Sequence, residues 1–488
     1  MGDIVNSSPL VVAKPNSGLD ILYRDSSYTQ FANTYRCRRS VVYAGANDGM
    51  LHAFNGGFRN NDGFALAPAA GCPAFSAAPH ALGSELWGYV PGNLLPHVGW
   101  TADPDYTHVF YVDGSPISYD VKAFAPDSRH PNGWGTILVV PFRLGGGPIT
   151  VPTGATAVPD HKSAPAFVVL DITDPEVPPT LIAEIVLPNN GTVSGPFGSG
   201  DTKPSFSYPQ PSLAFDIDLS SGTSVYDYRL VFGTGPTKIN PEVHSDRTAQ
   251  VFTYNLNALV QSGSATFNTD AIPGADTFIS DLNSADFDFG GTTDAIYFGT
   301  NVGLPAVAGG PGVNSGMTGR LYKYPFESTG APGLSGEPQP GRSFSRQFPA
   351  EFYNPNSPIQ GKPALTLSSR RLPAVAFGTG RMLSKGDFIS TRPSSLFILD
   401  DASSFTTAPF SGTLGTNAVT YRTSDGVRGL QVVLSANERS FTSPTVFRGI
   451  GIYTSFKPEA DQCFALGQSS LFQVNFANAR ARSEEHTS

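Results

Sequence analysis

Four short runs, set far apart in the chain, are nearly the same words: "VVYAGA" (Val41 to Ala46), "LVFGTG" (Leu230 to Gly235), "IYFGTN" (Ile296 to Asn301) and "VAFGTG" (Val375 to Gly380). Each closes a β-branched and aromatic run on glycine, the pattern of a strand meeting a tight turn. An alternating run follows each one after a loop of variable length: "LHAF" at Leu51, "QVFTYNL" at Gln250, "RLYKYPF" at Arg320 and "SLFILD" at Ser395. The repeated unit is therefore strand, glycine turn, returning strand. A single hairpin of this kind cannot bury its apolar face, so neighbouring sheets must stack, and a radial stack closes into a β-propeller. Near-identical motifs in distant parts of the chain favour such repetition over the Greek-key wiring of a sandwich.

Composition agrees with an all-β chain. The sequence has 52 Gly, 42 Pro, 34 Phe and 18 Tyr against only 15% charged residues, which suits many short strands better than helices rich in Glu, Lys and Ala. Further strands are predicted at "HVFYVDGSP" from His108, "GTILVVPF" from Gly135, "AFVVLDITDP" from Ala166 and "TVFRGIGIYTSF" from Thr445. The expected fold is one β-propeller of about seven blades over residues 1–478, some blades modified or carrying long loops and the last incomplete. "GGGPITVPTGATAVPDHKSAP" and "NVGLPAVAGGPGVNSGMTG" read as two such surface loops.

The formal net charge is −9, and no cluster of Lys and Arg offers a surface to phosphates, so no nucleic-acid partner is expected. No apolar run reaches the length of a membrane span, and "MGDIVNSSPL" lacks the order of a signal peptide. The tail, residues 479–488, includes "RSEEHTS", which matches one reading frame of a sequencing adapter and is expected to be an artefact rather than part of the domain. Cys37, Cys72 and Cys463 lack the spacing of a zinc site; the odd count fits either one disulfide and a leftover thiol or a partner lost with a missing end, and the pairing is left open.

The most informative chemistry lies in "DFDFGGTTD", Asp286 to Asp294. Counted from Asp286, carboxylates fall at loop positions 1, 3 and 9, glycine at 6, and the Thr292 carbonyl at 7, the spacing with which an EF-hand-type loop turns alternate oxygens toward one hard cation. Two positions depart from it. Gly290 stands at position 5, where an oxygen ligand is usual, and Tyr297 at position 12, where a bidentate Glu is usual. The alternative is a turn whose carboxylates only cap backbone N–H groups. "NDGMLHAF" from Asn47 reads as such a turn, His52 and His108 as packed or surface histidines, and "KGD" at Lys385 to Asp387 as a chance tripeptide.

The run "RRSVVYAGANDGMLHAFNGG" resembles the β-propeller domain of the neisserial PilC and PilY family, large proteins associated with the tip of type IV pili. "GDIVNSSPLVV", "ELWGYVPGNLLPHV", "HVFYVDGSP", "AFVVLDITDP" and "GKPALT" with "AVAFGTGRMLSKGDF" keep the family's order from Gly2 to about Asn478. The resemblance implies a C-terminal domain of a longer secreted protein, with a signal peptide in a missing N-terminal part and a location at the pilus tip, outer membrane or periplasm. It implies a Ca²⁺ loop held by Asp286, Asp288 and Asp294 with the Thr292 carbonyl, position 5 at Gly290 being filled by water or a neighbouring loop. A Kd of roughly 10⁻⁴ to 10⁻³ M is workable for an extracellular module. The implied work is binding rather than catalysis: pilus assembly against retraction, with pilins or minor pilins as partners, and attachment to host or abiotic surfaces. Two other readings of the chain are a quinoprotein-type dehydrogenase propeller and an outer-membrane assembly scaffold. The first wants a cysteine pair and many docking tryptophans, whereas this chain has Trp87, Trp100 and Trp134 and no adjacent cysteines. No HExxH, G-x-S-x-G or GxxxxGK[ST] supports other catalysis.

Overall fold

The computed structural model describes residues 2–60, 63–68, 72, 80–151, 161–187, 205–218, 224–303, 317–329, 343–368, 371–388, 394–401, 419–421, 429–458, 467–475 and 480–487. Among them, six antiparallel sheets of four or five strands follow one another along the chain, with a two-stranded ribbon at Ile149–Val151 and His161–Ser163. The sheets open on Leu10–Val12, Ile117–Lys122, Ser212–Asp218, Thr277–Ala285, Ala364–Leu367 and Thr445–Phe447. From each opening strand the chain meanders outward, the fifth sheet departing at its edge, where Ser395–Asp400 pairs with Gly429–Val433 and Val419–Tyr421 lies outside that strand. The opening strands of the third to sixth sheets touch in succession, which is the inner wall of a β-propeller. About seven blades are not confirmed, since the described residues supply six.

The repeated glycine words have a common physical cause. All four lie on the second strand of a sheet, in the first, third, fourth and fifth sheets. A Cβ on Gly299 would stand 2.4 Å from Ile359 Cγ2, and one on Gly378 would stand 2.3 Å from Ser440 Oγ. Gly45 and Gly233 are equally crowded, by Val112 and Ile279. Ile279 lies on the opening strand of the next sheet, and Val112, Ile359 and Ser440 lie in the segments that lead into theirs. The residue after each glycine then accepts a hydrogen bond from that neighbour: Val112 N–H to Ala46 O at 3.3 Å, Ile279 to Thr234 at 2.9 Å, Ile359 to Thr300 at 3.2 Å and Ser440 to Thr379 at 2.9 Å. Glycine is thus what lets one blade approach the next closely enough to be bonded to it.

Between the sheets the core is aromatic and β-branched. Ala295, Tyr297, Val375, Phe377, Phe397 and Ile359 pack the fourth sheet on the fifth, and Ala376, Leu396, Ile398, Tyr453 and Phe472 the fifth on the sixth. The second and third sheets share a larger cluster with an N-terminal helix, Ser26–Thr34, whose Tyr28 and Phe31 pack on the fully buried Trp134. Asp25 caps that helix, accepting from Ser27 N–H.

Several expectations change. "HVFYVDGSP" is not a strand; it carries the Val112 joint, and the second sheet begins at Ile117. The reason is that its first residues, His108 to Phe110, lie over a surface groove instead of in a ladder. "TVFRGIGIYTSF" is a tight hairpin, turned by Arg448 and Gly449 at φ of 49° and 80°. Cys37 is bonded to Cys72, and Cys463 lies outside the described residues. Of the two long loops, the one from Gly145 to Pro165 carries the two-stranded ribbon, with residues 152–160 outside the described residues, and the one from Asn301 lies mostly outside them. Residues 480–487, expected to be a tail, pair along Gly467–Asn475 as the fourth strand of the sixth sheet. No helix among the described residues is long and apolar enough to cross a membrane.

Candidate metal centre

The aspartate loop joins the first two strands of the fourth sheet, Thr277–Ala285 and Ala295–Val302. The ladder closes at its base, where Asp294 N–H donates to Ala285 O at 2.9 Å. Above that point the backbone turns through two left-handed residues, Phe289 at φ 57° and Gly291 at φ 84°. Position 6 of the loop therefore needs glycine for its conformation, as the spacing predicts. Gly290 is not at positive φ; its special feature is lack of room, because a Cβ there would stand 2.7 Å from Asp288 Oδ1.

The loop is clamped to the opening strand of the preceding sheet. Ile217 N–H donates to Gly291 O at 2.8 Å, Thr293 N–H to Phe215 O at 2.8 Å, and the Thr292 hydroxyl to Asp216 Oδ1 at 2.6 Å. Fixed in this way, Asp286, Asp288 and Asp294 converge. One carboxylate oxygen from each lies within 4.8 Å of the others, with Asp286 and Asp294 half-buried and Asp288 exposed. At such a separation two ionised carboxylates repel by about 3 kcal/mol at an effective dielectric near 20.

The protein answers that repulsion with neutral donors. Asp286 accepts from the Tyr23 hydroxyl at 2.8 Å, Gly291 N–H at 2.9 Å and Gly290 N–H at 3.1 Å. Asp288 accepts from Gly290 N–H at 2.7 Å, and Asp294 from Phe287 N–H at 2.7 Å. These bonds do not compensate fully. Burial foremost pushes Asp286 up to about 6, against the pull of Tyr23 and the glycine N–H groups. Burial, with the Asp288 charge behind it, also raises Asp294. Tyr23, buried and bonded to Asp286, is held far above the ordinary phenol range. Two raised carboxylates beside a third, exposed one form an all-oxygen set that fits a hard divalent cation and could hold one.

The structure thus brings together the three predicted aspartates and treats the other two positions differently. Gly290 faces the cluster with an N–H donor, not with an oxygen. The Thr292 side chain turns to Asp216, and a ligand role for its carbonyl belongs to the proposal below. Tyr23 and Asp216 are parts of the site that the loop spacing did not reveal. Tyr23 sits 263 residues from its partner, just after a short N-terminal helix at Leu19–Leu22, and is placed by an edge-on contact with Phe215. No local pattern points to it. Asp216 had one available signal, an acidic residue in the apolar strand "LAFDID".

The remaining candidates resolve as turns and packing. Asp387 of "KGD" is fully buried, so its carboxylate is not on display. His52 is buried between Asp48 and Glu85, and His108 is exposed beside Asp3.

Residues 1–150 match the family described as the PilY1 beta-propeller domain. A type IV pilus biogenesis factor PilY1 homolog from Xylella fastidiosa is 27% identical over 409 residues, 82% of this chain and 25% of that protein. The Pseudomonas aeruginosa type IV pilus biogenesis factor PilY1 is 35% identical over 150 residues, 30% of this chain and 10% of that protein. The crystal structure of the P. aeruginosa PilY1 C-terminal domain aligns with a TM-score of 0.55 at 19% identity, over 95% of this chain and 85% of that one. These matches support a PilY1/PilC-type domain. The fold likeness extends through nearly all of this chain, while the family match stops at residue 150, short of the aspartate loop. The chain spans a quarter or less of the length of these curated PilY1 relatives.

Proposed function

We propose that this chain is the calcium-binding propeller of a type IV pilus biogenesis and tip-adhesin protein, which supports pilus assembly against retraction and surface attachment. The pilus role rests on the names of the relatives; the calcium role rests on the aspartate loop. Its carrying observation is three carboxylates within 4.8 Å of one another, two of them pushed upward. In this reading Asp286, Asp288 and Asp294 hold Ca²⁺ together with the Thr292 carbonyl, and water takes the place that Gly290 leaves open. The ion supplies charge neutralisation, which removes the repulsion that neutral donors offset only in part. Calcium suits the site better than magnesium, since an incomplete and irregular oxygen set is tolerated by the former and not by the latter.

The work of the domain is then binding and not catalysis. An ordered loop clamped through Thr292 and Thr293 to the preceding blade keeps a surface at that blade junction competent to engage pilins or minor pilins, and host or abiotic surfaces beyond them. The setting is extracellular or at the cell surface, at the pilus tip, outer membrane or periplasm.

The test is made in a piliated host that lacks its own PilY1-type protein and receives one carrying this domain. Surface pili are counted for the unaltered domain and for Asp286→Ala with Asp294→Ala. The reading expects pili with the first and few with the second. Equal piliation by two stably expressed proteins would contradict it.

A further inference from the structure

A groove of about 780 Å³ lies at the end of the propeller opposite to the aspartate loop. Its walls come from residues 96–111, between the first and second sheets, and from residues 144–149 and 239–240, which follow the second strands of the second and third sheets. The aspartate loop follows a first strand, so in an antiparallel meander the two features sit at opposite ends of the blades. The volume falls within the roughly 300–1,000 Å³ of ligand clefts. Phe110, Leu144, Ile149 and Ile239 supply apolar lining.

Trp100 lines the groove with 37% of its surface exposed, yet the loop around it holds the ring in place. Its Nε1 donates to Thr107 O at 3.2 Å, and the equally exposed Tyr106 lies 6.2 Å away, ring to ring. Asp103 follows on the same turn, its N–H donating to Trp100 O at 3.0 Å. One oxygen of the Asp103 carboxylate accepts from Asp105 N–H at 2.9 Å, and the other makes no hydrogen bond among the described residues. No Lys or Arg is among the described residues that line the groove. Of its two histidines, His97 is held below the ordinary imidazole range by burial, and His108 already faces the Asp3 carboxylate at 3.0 Å. The groove thus combines a fixed electron-rich ring, a carboxylate with an open oxygen and apolar walls.

We infer that this groove docks an arginine side chain of a partner protein, carried on an extended segment with apolar residues on either side of it. The argument is charge complementarity. A guanidinium is planar, stacks on an aromatic face and bonds a carboxylate through its fork, so Trp100 and Asp103, presented by one turn, match both of its features at once. The space exceeds what one side chain fills, and the neighbours of that arginine meet Phe110, Ile149 and Ile239. A lysine ammonium has no planar face to stack and is more strongly hydrated. A neutral ligand would cover Asp103 without giving its carboxylate a partner. The net charge of −9 draws a basic segment toward the chain. Because the Trp100 ring is already bonded in place, little side-chain freedom is lost on docking. The contact is independent of the aspartate loop and of Ca²⁺.

The test uses the whole chain with its three tryptophans replaced by 5-fluorotryptophan, so that fluorine NMR reads each ring separately and Trp100→Phe assigns its line. The probe is a short capped peptide with arginine between two leucines, beside the same peptide carrying citrulline, the neutral isostere, or lysine. The arginine peptide should move the Trp100 line saturably, with or without chelator, and leave the line of the buried Trp134 in place. Citrulline should weaken binding about tenfold and lysine about threefold. Asp103→Asn, a change on the exposed surface, should weaken binding of the arginine peptide about fivefold and flatten its salt dependence. Trp100→Leu, read by the anisotropy of a labelled peptide, should weaken it about tenfold or more. Failure of the arginine peptide to move the Trp100 line, equal binding by the citrulline or lysine peptide, or unchanged affinity in Asp103→Asn would each overturn the assignment. So would a Trp100 line moved by methyl glucoside and not by the arginine peptide.

Discussion

Two Asp-Gly turns in this molecule are built from the same residue types and end in opposite electrostatic states. In the first sheet, Asp48 lies in the turn Asn47 to Gly49. Its carboxylate accepts from Gly2 N–H at 2.7 Å and Met50 N–H at 3.2 Å, and it faces the buried His52 ring at 3.1 Å. Burial pushes Asp48 upward, but the Gly2, His52 and Met50 contacts outweigh it and the group ends below the usual carboxylate range. In the fourth sheet three carboxylates share one loop, their donors are neutral, and Asp286 is driven up to about 6. The number of carboxylates for each available donor or cation, and not the presence of an Asp-Gly string, separates a closed turn from a cluster that could hold a cation.

That contrast can be broken most sharply at Asp294. Asp294→Ala should erase any dependence of the melting midpoint on calcium, measured with and without chelator, whereas Asp48→Ala should leave the dependence intact. The next effect is smaller. The Tyr23 hydroxyl donates to Asp286, so Tyr23→Phe should weaken calcium binding within the roughly 10–100-fold range of an outer-shell partner, read by titration. A full loss would mean that Tyr23 does more than orient the carboxylate.

The pH dependences of the two turns should have opposite signs. Asp286 binds its proton more tightly folded than unfolded, so in chelator its contribution makes stability fall as pH rises from about 4 to about 6. Asp48 is depressed, so its contribution is present at neutral pH and is lost as pH falls through the acid range. Denaturant midpoints across that range, for the unaltered chain against Asp286→Asn and Asp48→Asn, separate the two. Calcium competes with the Asp286 proton, and its affinity should accordingly rise as pH passes upward through about 6. The smallest effect is expected on calcium affinity in Asp48→Asn, which should be unchanged while stability drops by about 1–3 kcal/mol from donors left without an anion.

What the sequence made legible follows the same division. The glycine words were readable as a repeat because close approach of neighbouring blades tolerates only glycine at Gly45, Gly233, Gly299 and Gly378, and so leaves a mark in the residues themselves. The three aspartates were readable because their spacing lies within nine residues. What could not be read was set by long-range packing. Tyr23 reaches the loop only through the arrangement of the N-terminal segment on Phe215. "HVFYVDGSP" has the composition of a strand, yet its residues are used for a blade joint and the edge of a groove. The orientation of Gly290 was likewise hidden. A glycine in a loop says that a side chain is missing, and not that its N–H will face two carboxylates.

The central claim is that Asp286, Asp288 and Asp294 form one cation site, and calorimetric titration with Ca²⁺ tests it most directly. The unaltered chain should take up calcium at this loop with an affinity in the millimolar range or tighter, and Asp286→Ala and Asp294→Ala should lose that uptake. Equal binding by all three proteins would contradict the account.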